Sequence, residues 1–153
     1  MKLHFTDLMC FQKNPANIPC KQAFNLDRLP TLSLKNDFAA YIFDRGCTLS
    51  YSSLRTECVQ FHTLSDFLSE EYPYLTSLTD VPLDTLQGSL KRWLLTKGLA
   101  LSYKTSHPDR KKETYGDNPI LHFLTNAYGY FEGNGYLITY AVGHLVSLYD
   151  MKD

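Results

Sequence analysis

Four runs of apolar residues spaced three and four apart are the strongest constraint on how this chain can fold, because that spacing places them on one face of a helix. The first comprises Leu34, Phe38, Tyr41 and Ile42 and is closed by Gly46. The second comprises Leu54, Cys58, Phe61, Leu64, Phe67 and Leu68, after the polar start Ser50 to Ser53 and before Pro73. The third runs from Pro82 through Leu83, Leu86, Leu90, Trp93 and Leu94 to Gly98, and the fourth opens at Asn118-Pro119 and carries Ile120, Phe123, Leu124, Ala127 and Phe131. Such stripes are stable only when they bury one another. They predict a mainly α chain, a three- to four-helix bundle, with the aromatic positions as core.

The flanks have no such period. Residues 1–33 carry Asn14-Pro15, Ile18-Pro19 and Leu29-Pro30 without a sustained repeat, and they read as an irregular arm. At the other end, Phe131-Glu132-Gly133-Asn134-Gly135-Tyr136 has the composition of a hairpin turn, and Tyr136 to Val142 that of a strand. A C-terminal β-hairpin-like tail is therefore expected over 132–153. The two patterns compete at Tyr128 to Phe131, which helical period assigns to the fourth helix and the hairpin claims as its first strand.

A chain of 153 residues is long enough for one domain with a core of its own. Its 15 Lys and Arg against 16 Asp and Glu exclude a polybasic tail or an acidic disordered segment, and no run is apolar enough for a membrane span. The near-zero net charge is a cancellation. Lys91, Arg92, Lys97, Lys104, Arg110, Lys111 and Lys112 face the single acid Asp109 between 91 and 112, whereas residues 63–90 hold Asp66, Glu70, Glu71, Asp80 and Asp84 and no cation. A basic stretch of that density can neutralise phosphates and release counterions, the source of sequence-independent DNA affinity. Those seven cations are the candidate DNA-binding residues.

Chemistry-bearing motifs are sparse. Cys10, Cys20, Cys47 and Cys58 form no CxxC pair and the N-terminus lacks an apolar signal core, so a reducing, cytoplasmic setting is expected. Cys58 and His62 stand four apart on the second helix, but without a second ligand pair no metal is expected. Gly133-Asn134-Gly135 lacks the third glycine of a dinucleotide loop, no nucleophile elbow anchors a Ser/His/Asp set, and no Arg/His cluster accompanies any of the 11 tyrosines. No catalytic residue and no cofactor are expected.

Two resemblances add to this reading. Ser50-Tyr51, Phe67-Leu68, Leu78-Thr79-Asp80, Lys97-Gly98-Leu99 with Ser102, and Phe123-Leu124 with Tyr130-Phe131 occur in the order seen in the N-terminal core-binding (SAM-like) domain of tyrosine recombinases, the phage-integrase family. The stretch 49–131 resembles that domain. The resemblance implies a helical DNA-binding unit over 34–131 that clamps duplex DNA, with further recombinase protomers as partners. The family's catalytic Arg, Lys, His and Tyr belong to a separate domain, and nothing here matches them. Gly129 to Asp150, with its Gly143-His144-Leu145 step, is similar to the early Toprim region of type IA topoisomerases of the topoisomerase III kind. It lacks that family's Glu-Lys-Pro-Ser strand, its acidic Mg²⁺ site and its nucleophile. The leading expectation is a non-catalytic DNA-binding module of site-specific recombination. The alternatives are a fragment of a type IA topoisomerase and a helical protein-interaction domain whose basic loop meets an acidic partner.

Overall fold

Each of the four apolar stripes folds as a helix, and in three of them a side chain caps the first turn. The structure, a computed structural model, describes residues 1–9, 22–98 and 118–133. In chain order the elements are β1 (Lys2–His4), α1 (Phe5–Met9), β2 (Ala23–Asn25), a 3-10 turn (Leu26–Arg28), α2 (Leu32–Gly46), α3 (Tyr51–Glu71), a second 3-10 turn (Leu78–Asp80), α4 (Leu83–Thr96) and α5 (Pro119–Gly133). The described chain is mainly helical, with one small antiparallel sheet.

Local chemistry accounts for the boundaries. The Thr31 hydroxyl oxygen accepts from the Leu34 amide at 3.4 Å and its O–H donates to the Leu75 carbonyl at 2.6 Å, so one residue caps α2 and ties it to the loop after α3. Ser50 caps α3 by accepting from the Ser53 amide. Asn118 accepts from the Ile120 amide at 2.9 Å, and Pro119 fills the first position of α5, where a missing N–H costs nothing. Beyond α4, Gly98 takes φ +74°, the left-handed conformation that glycine adopts at a helix C-terminus without steric penalty.

The core is built around aromatic rings on α2, α3 and α5. Phe38 lies 5.5 Å from Phe61 and 5.1 Å from Phe131, centroid to centroid, and Phe61 and Phe123 are 6.3 Å apart. These edge-on and tilted contacts are the preferred arrangements of ring quadrupoles. α5 packs against α2, α3 and α4. Tyr128 to Phe131 are helical, which resolves the competition between helix and strand: in a helix Leu124, Ala127, Tyr128 and Phe131 share the buried face, and the Tyr128 hydroxyl donates to the Val81 carbonyl at 2.8 Å. As Phe131 to Gly133 also belong to α5, the expected turn cannot begin there. The remainder of the expected hairpin, 134–153, lies outside the described residues.

The expectation of an irregular arm over 1–33 is corrected wherever that segment is described. β1 and β2 pair antiparallel with Leu3 opposite Phe24, and Leu3, Phe5, Leu8, Met9, Phe24, Leu26 and Leu29 are buried in the same core as the helices. Phe24 sits 5.7 Å from Phe61, and Phe5 sits 5.4 Å from Phe24. The ribbon and α1 therefore form one face of the core. Strands of three residues are too short to show a period of two, so sequence pattern passes over them.

Gly46 closes α2 as its position suggests and has a second role besides. It is the last residue of α2, and a Cβ built there would lie 2.6 Å from Leu8 Cβ and 3.4 Å from Leu8 Cα. The glycine allows α1 to approach α2. Beside it, Arg45 forks onto Glu57 of α3 through Nε at 3.3 Å and Nη2 at 2.6 Å.

Candidate functional site

On α4 the inward positions Leu86, Leu90, Trp93 and Leu94 leave the cations of the expected DNA-binding set on the remaining surface. Lys91, Arg92 and Lys97 fall within two turns of one another at the C-terminal end of the helix. Arg92 is exposed; its Nη2 donates to Ser89 Oγ at 3.3 Å and it pairs with no carboxylate among the described residues. Ser89 Oγ in turn shares a hydrogen bond of 2.7 Å with the Tyr72 hydroxyl. Lys104, Arg110, Lys111 and Lys112 lie outside the described residues.

Lys97 is not a free cation. Its Nζ lies 3.4 Å from Glu70 Oε1 and 5.7 Å from the centroid of the Trp93 ring, while Trp93 Nε1 donates to Glu70 Oε2 at 2.6 Å. Both oxygens of Glu70 are thus engaged. The indole N–H, and after it the Lys97 ammonium, hold this carboxyl below the usual range. Glu70, from the acidic segment, offsets part of the charge at the basic end. Sequence counts the two on opposite sides of a charge balance; 27 residues apart in the chain, they become partners only through the packing of α4 on α3.

A second feature has no counterpart in the sequence reading. Along the outer side of α3, Tyr51, Arg55, Val59 and Thr63 recur every four residues beside Ser52, Thr56 and Gln60, and with Asn118, Pro119 and Ile120 they line an open groove of about 600 Å³. Val59 is 64% exposed, a large apolar side chain off the core-facing stripe, and that displacement was the available signal. Arg55 supplies the groove's charge.

The third feature concerns Cys58 and His62. One turn apart on α3, they both meet the outer edge of β2: the Cys58 thiol donates to the Ala23 carbonyl at 3.4 Å, and His62 Nε2 accepts from the Asn25 amide at 2.9 Å. Cys58 Sγ and His62 Nδ1 are 3.9 Å apart. Burial pushes the thiol up to about 11, and burial, with the Arg28 guanidinium adding to it, holds the imidazole below its ordinary value. At neutral pH the pair is a thiol and a neutral imidazole, the opposite of the thiolate and imidazolium of a nucleophilic cysteine. Among the described residues no group of three His, Cys, Asp or Glu is placed to hold a metal ion, and no helix is long and apolar enough to cross a membrane.

No protein-family model matches this sequence, and neither the curated proteins nor the solved structures include a match to it.

Proposed function

We propose that the chain is a non-catalytic DNA-binding module that engages the phosphate backbone through the C-terminal end of α4 and the basic stretch following it. The observation that carries this reading is the exposed guanidinium of Arg92, which pairs with no carboxylate among the described residues, at the point where the chain enters the segment holding Lys104, Arg110, Lys111 and Lys112. A guanidinium presented in this way binds phosphate oxygens without reading base edges. The ordering of short motifs similar to a tyrosine-recombinase core-binding domain supports the same reading, with Ser50 capping α3 and Lys97-Gly98 closing α4. Strand cleavage is left to other polypeptide.

A salt titration of binding to duplex DNA tests the proposal. Affinity should fall with salt, and Lys111→Glu with Lys112→Glu should lessen the log–log slope by about 2, one unit per lost phosphate contact. Arg92→Glu should weaken binding to all sequences alike. Glu70→Ala, which frees Lys97, should strengthen it. Absence of binding at low salt, or affinity indifferent to these four substitutions, overturns the proposal.

The groove between α3 and α5 favours a second reading, a helical protein-interaction domain. Its apolar lining around Val59 and Ile120, with Arg55 alongside, suits an apolar partner segment that carries a carboxylate. Val59→Asp would abolish such an interaction and leave DNA affinity unchanged.

A further inference from the structure

The outer edge of β2 presents a backbone acceptor, Ala23 C=O, and a backbone donor, Asn25 N–H, two residues apart. In a larger sheet both would pair with a third strand. Here two side chains of α3 replace that strand: the Cys58 thiol supplies the donor and the His62 ring the acceptor, four residues apart and so on one face of the helix. The 2.9 Å contact from the Asn25 amide requires a lone pair on His62 Nε2, which places the ring proton on Nδ1, toward Cys58 Sγ at 3.9 Å. A single polarised chain results, from His62 Nδ1–H to the sulfur and from the thiol hydrogen to Ala23 C=O.

We propose that His62 is an acid-sensitive latch on the sheet edge, its protonation converting the acceptor at Nε2 into a donor that faces the Asn25 amide and opens the Asn25 edge of β2 away from α3. The reversal follows from the chemistry of the ring: imidazolium carries N–H on both nitrogens and has no lone pair to offer. Two donors at 2.9 Å repel, and the edge they shared opens. The charged and titratable groups around the ring act on the same equilibrium. From the 3-10 turn Arg28 opposes protonation, from α3 Asp66 favours it, and these two also face each other at 3.7 Å. Cys58, from α3, stays a neutral thiol, while β2 itself presents only the uncharged Ala23, Phe24 and Asn25. Opening is confined to an edge: Phe24, which points to the core against Phe61, and the pairing of β2 with β1 do not involve the ring.

Amide hydrogen exchange on the full chain, followed by NMR from about pH 7.5 to about pH 5 across the titration range of a histidine, tests the latch. Relative to the intrinsic rate at each pH, protection of the Asn25 amide should fall by about tenfold or more, in step with the His62 ring shifts, while amides within α3 keep theirs. His62→Gln places a non-titrating amide oxygen within reach of the Asn25 amide, and its protection should not vary with pH. An Asn25 amide whose protection is flat over this range, with or without titration of His62, overturns the proposal. So does a His62 ring that carries its neutral-state proton on Nε2, a measurement on the unmodified chain that stands even if the glutamine variant does not fold.

Discussion

The clearest electrostatic conflict among the described residues is at Asp37, a half-buried carboxyl on α2 that burial pushes up to about 6. Its folded form holds the proton more tightly than the unfolded chain does, where the ordinary value is 3.8. Stability from this group is therefore fully present below about pH 4 and is lost as pH rises through about 6. His62 has the opposite sign: its folded value lies below 6.5, so its contribution is present above that pH and lost as pH falls through the folded value. The two effects overlap, and single substitutions separate them. Asp37→Asn should be more stable than the parent at pH 7, by roughly 1 kcal/mol once solvent screening is allowed for, and indistinguishable from it near pH 4. Denaturant unfolding at the two pH values measures this, and a variant less stable at pH 7 would show that Asp37 has a favourable partner. None of this is legible in the sequence, where Asp37 is a polar residue between apolar helical positions. Burial is a property of the packed helix.

At the scale of elements, the sequence disclosed the helices and missed what passes between them. Leu54, Cys58, Phe61, Leu64 and Leu68 announce α3 because periodicity is local, and Pro119 and Gly98 mark boundaries because their backbone chemistry is local. The Cys58–His62 spacing was visible too. Its role was not, because the acceptor at Ala23 and the donor at Asn25 lie 35 and 37 residues away. The groove on α3 was hidden for the same reason, since Ile120 reaches it from a distant helix. Gly46 gives this difference a measurable form. As a mere helix terminator it would tolerate alanine at little cost. As the site where α1 approaches α2, it leaves a new methyl group 2.6 Å from Leu8 Cβ, an atom close to the backbone that cannot rotate aside. Gly46→Ala should cost about 1–3 kcal/mol, the usual range for an overpacked contact. The same substitution in a Leu8→Gly background should cost less, and a double-mutant cycle with no coupling would place the strain elsewhere.

For the whole molecule the question is whether the helices over 34–131 constitute a folding unit by themselves, as the division into arm, helical domain and tail implies. Core geometry argues against it. Leu3, Phe5, Leu8, Met9, Phe24, Leu26 and Leu29 are all buried, and Phe24 continues the ring cluster of Phe61 and Phe38. At about 1.5–3 kcal/mol for each fully buried side chain, seven of them represent a gross contribution of roughly 10–20 kcal/mol, comparable with or larger than the net stability of an ordinary domain. That gross figure is offset by the entropy of ordering the ribbon, but the helices left without it would expose the faces that Phe24, Leu26 and Leu8 cover, and α2 would lose its contact at Gly46. A chain shortened to residues 31–153 keeps the Thr31 cap and every residue of α2 to α5. It should retain much of its far-ultraviolet helical signal, lose the near-ultraviolet signal of packed aromatic rings, and melt without a cooperative transition. If it instead unfolds as sharply as the full chain, the ribbon is an appendage and 34–131 is a domain in its own right. The proposed DNA affinity separates the consequences further: phosphate contacts of the kind proposed for Arg92 and the 104–112 cations would depend on charge, so they should survive shortening in weakened form, whereas the groove lined by α3 and α5 requires the packed core and should not.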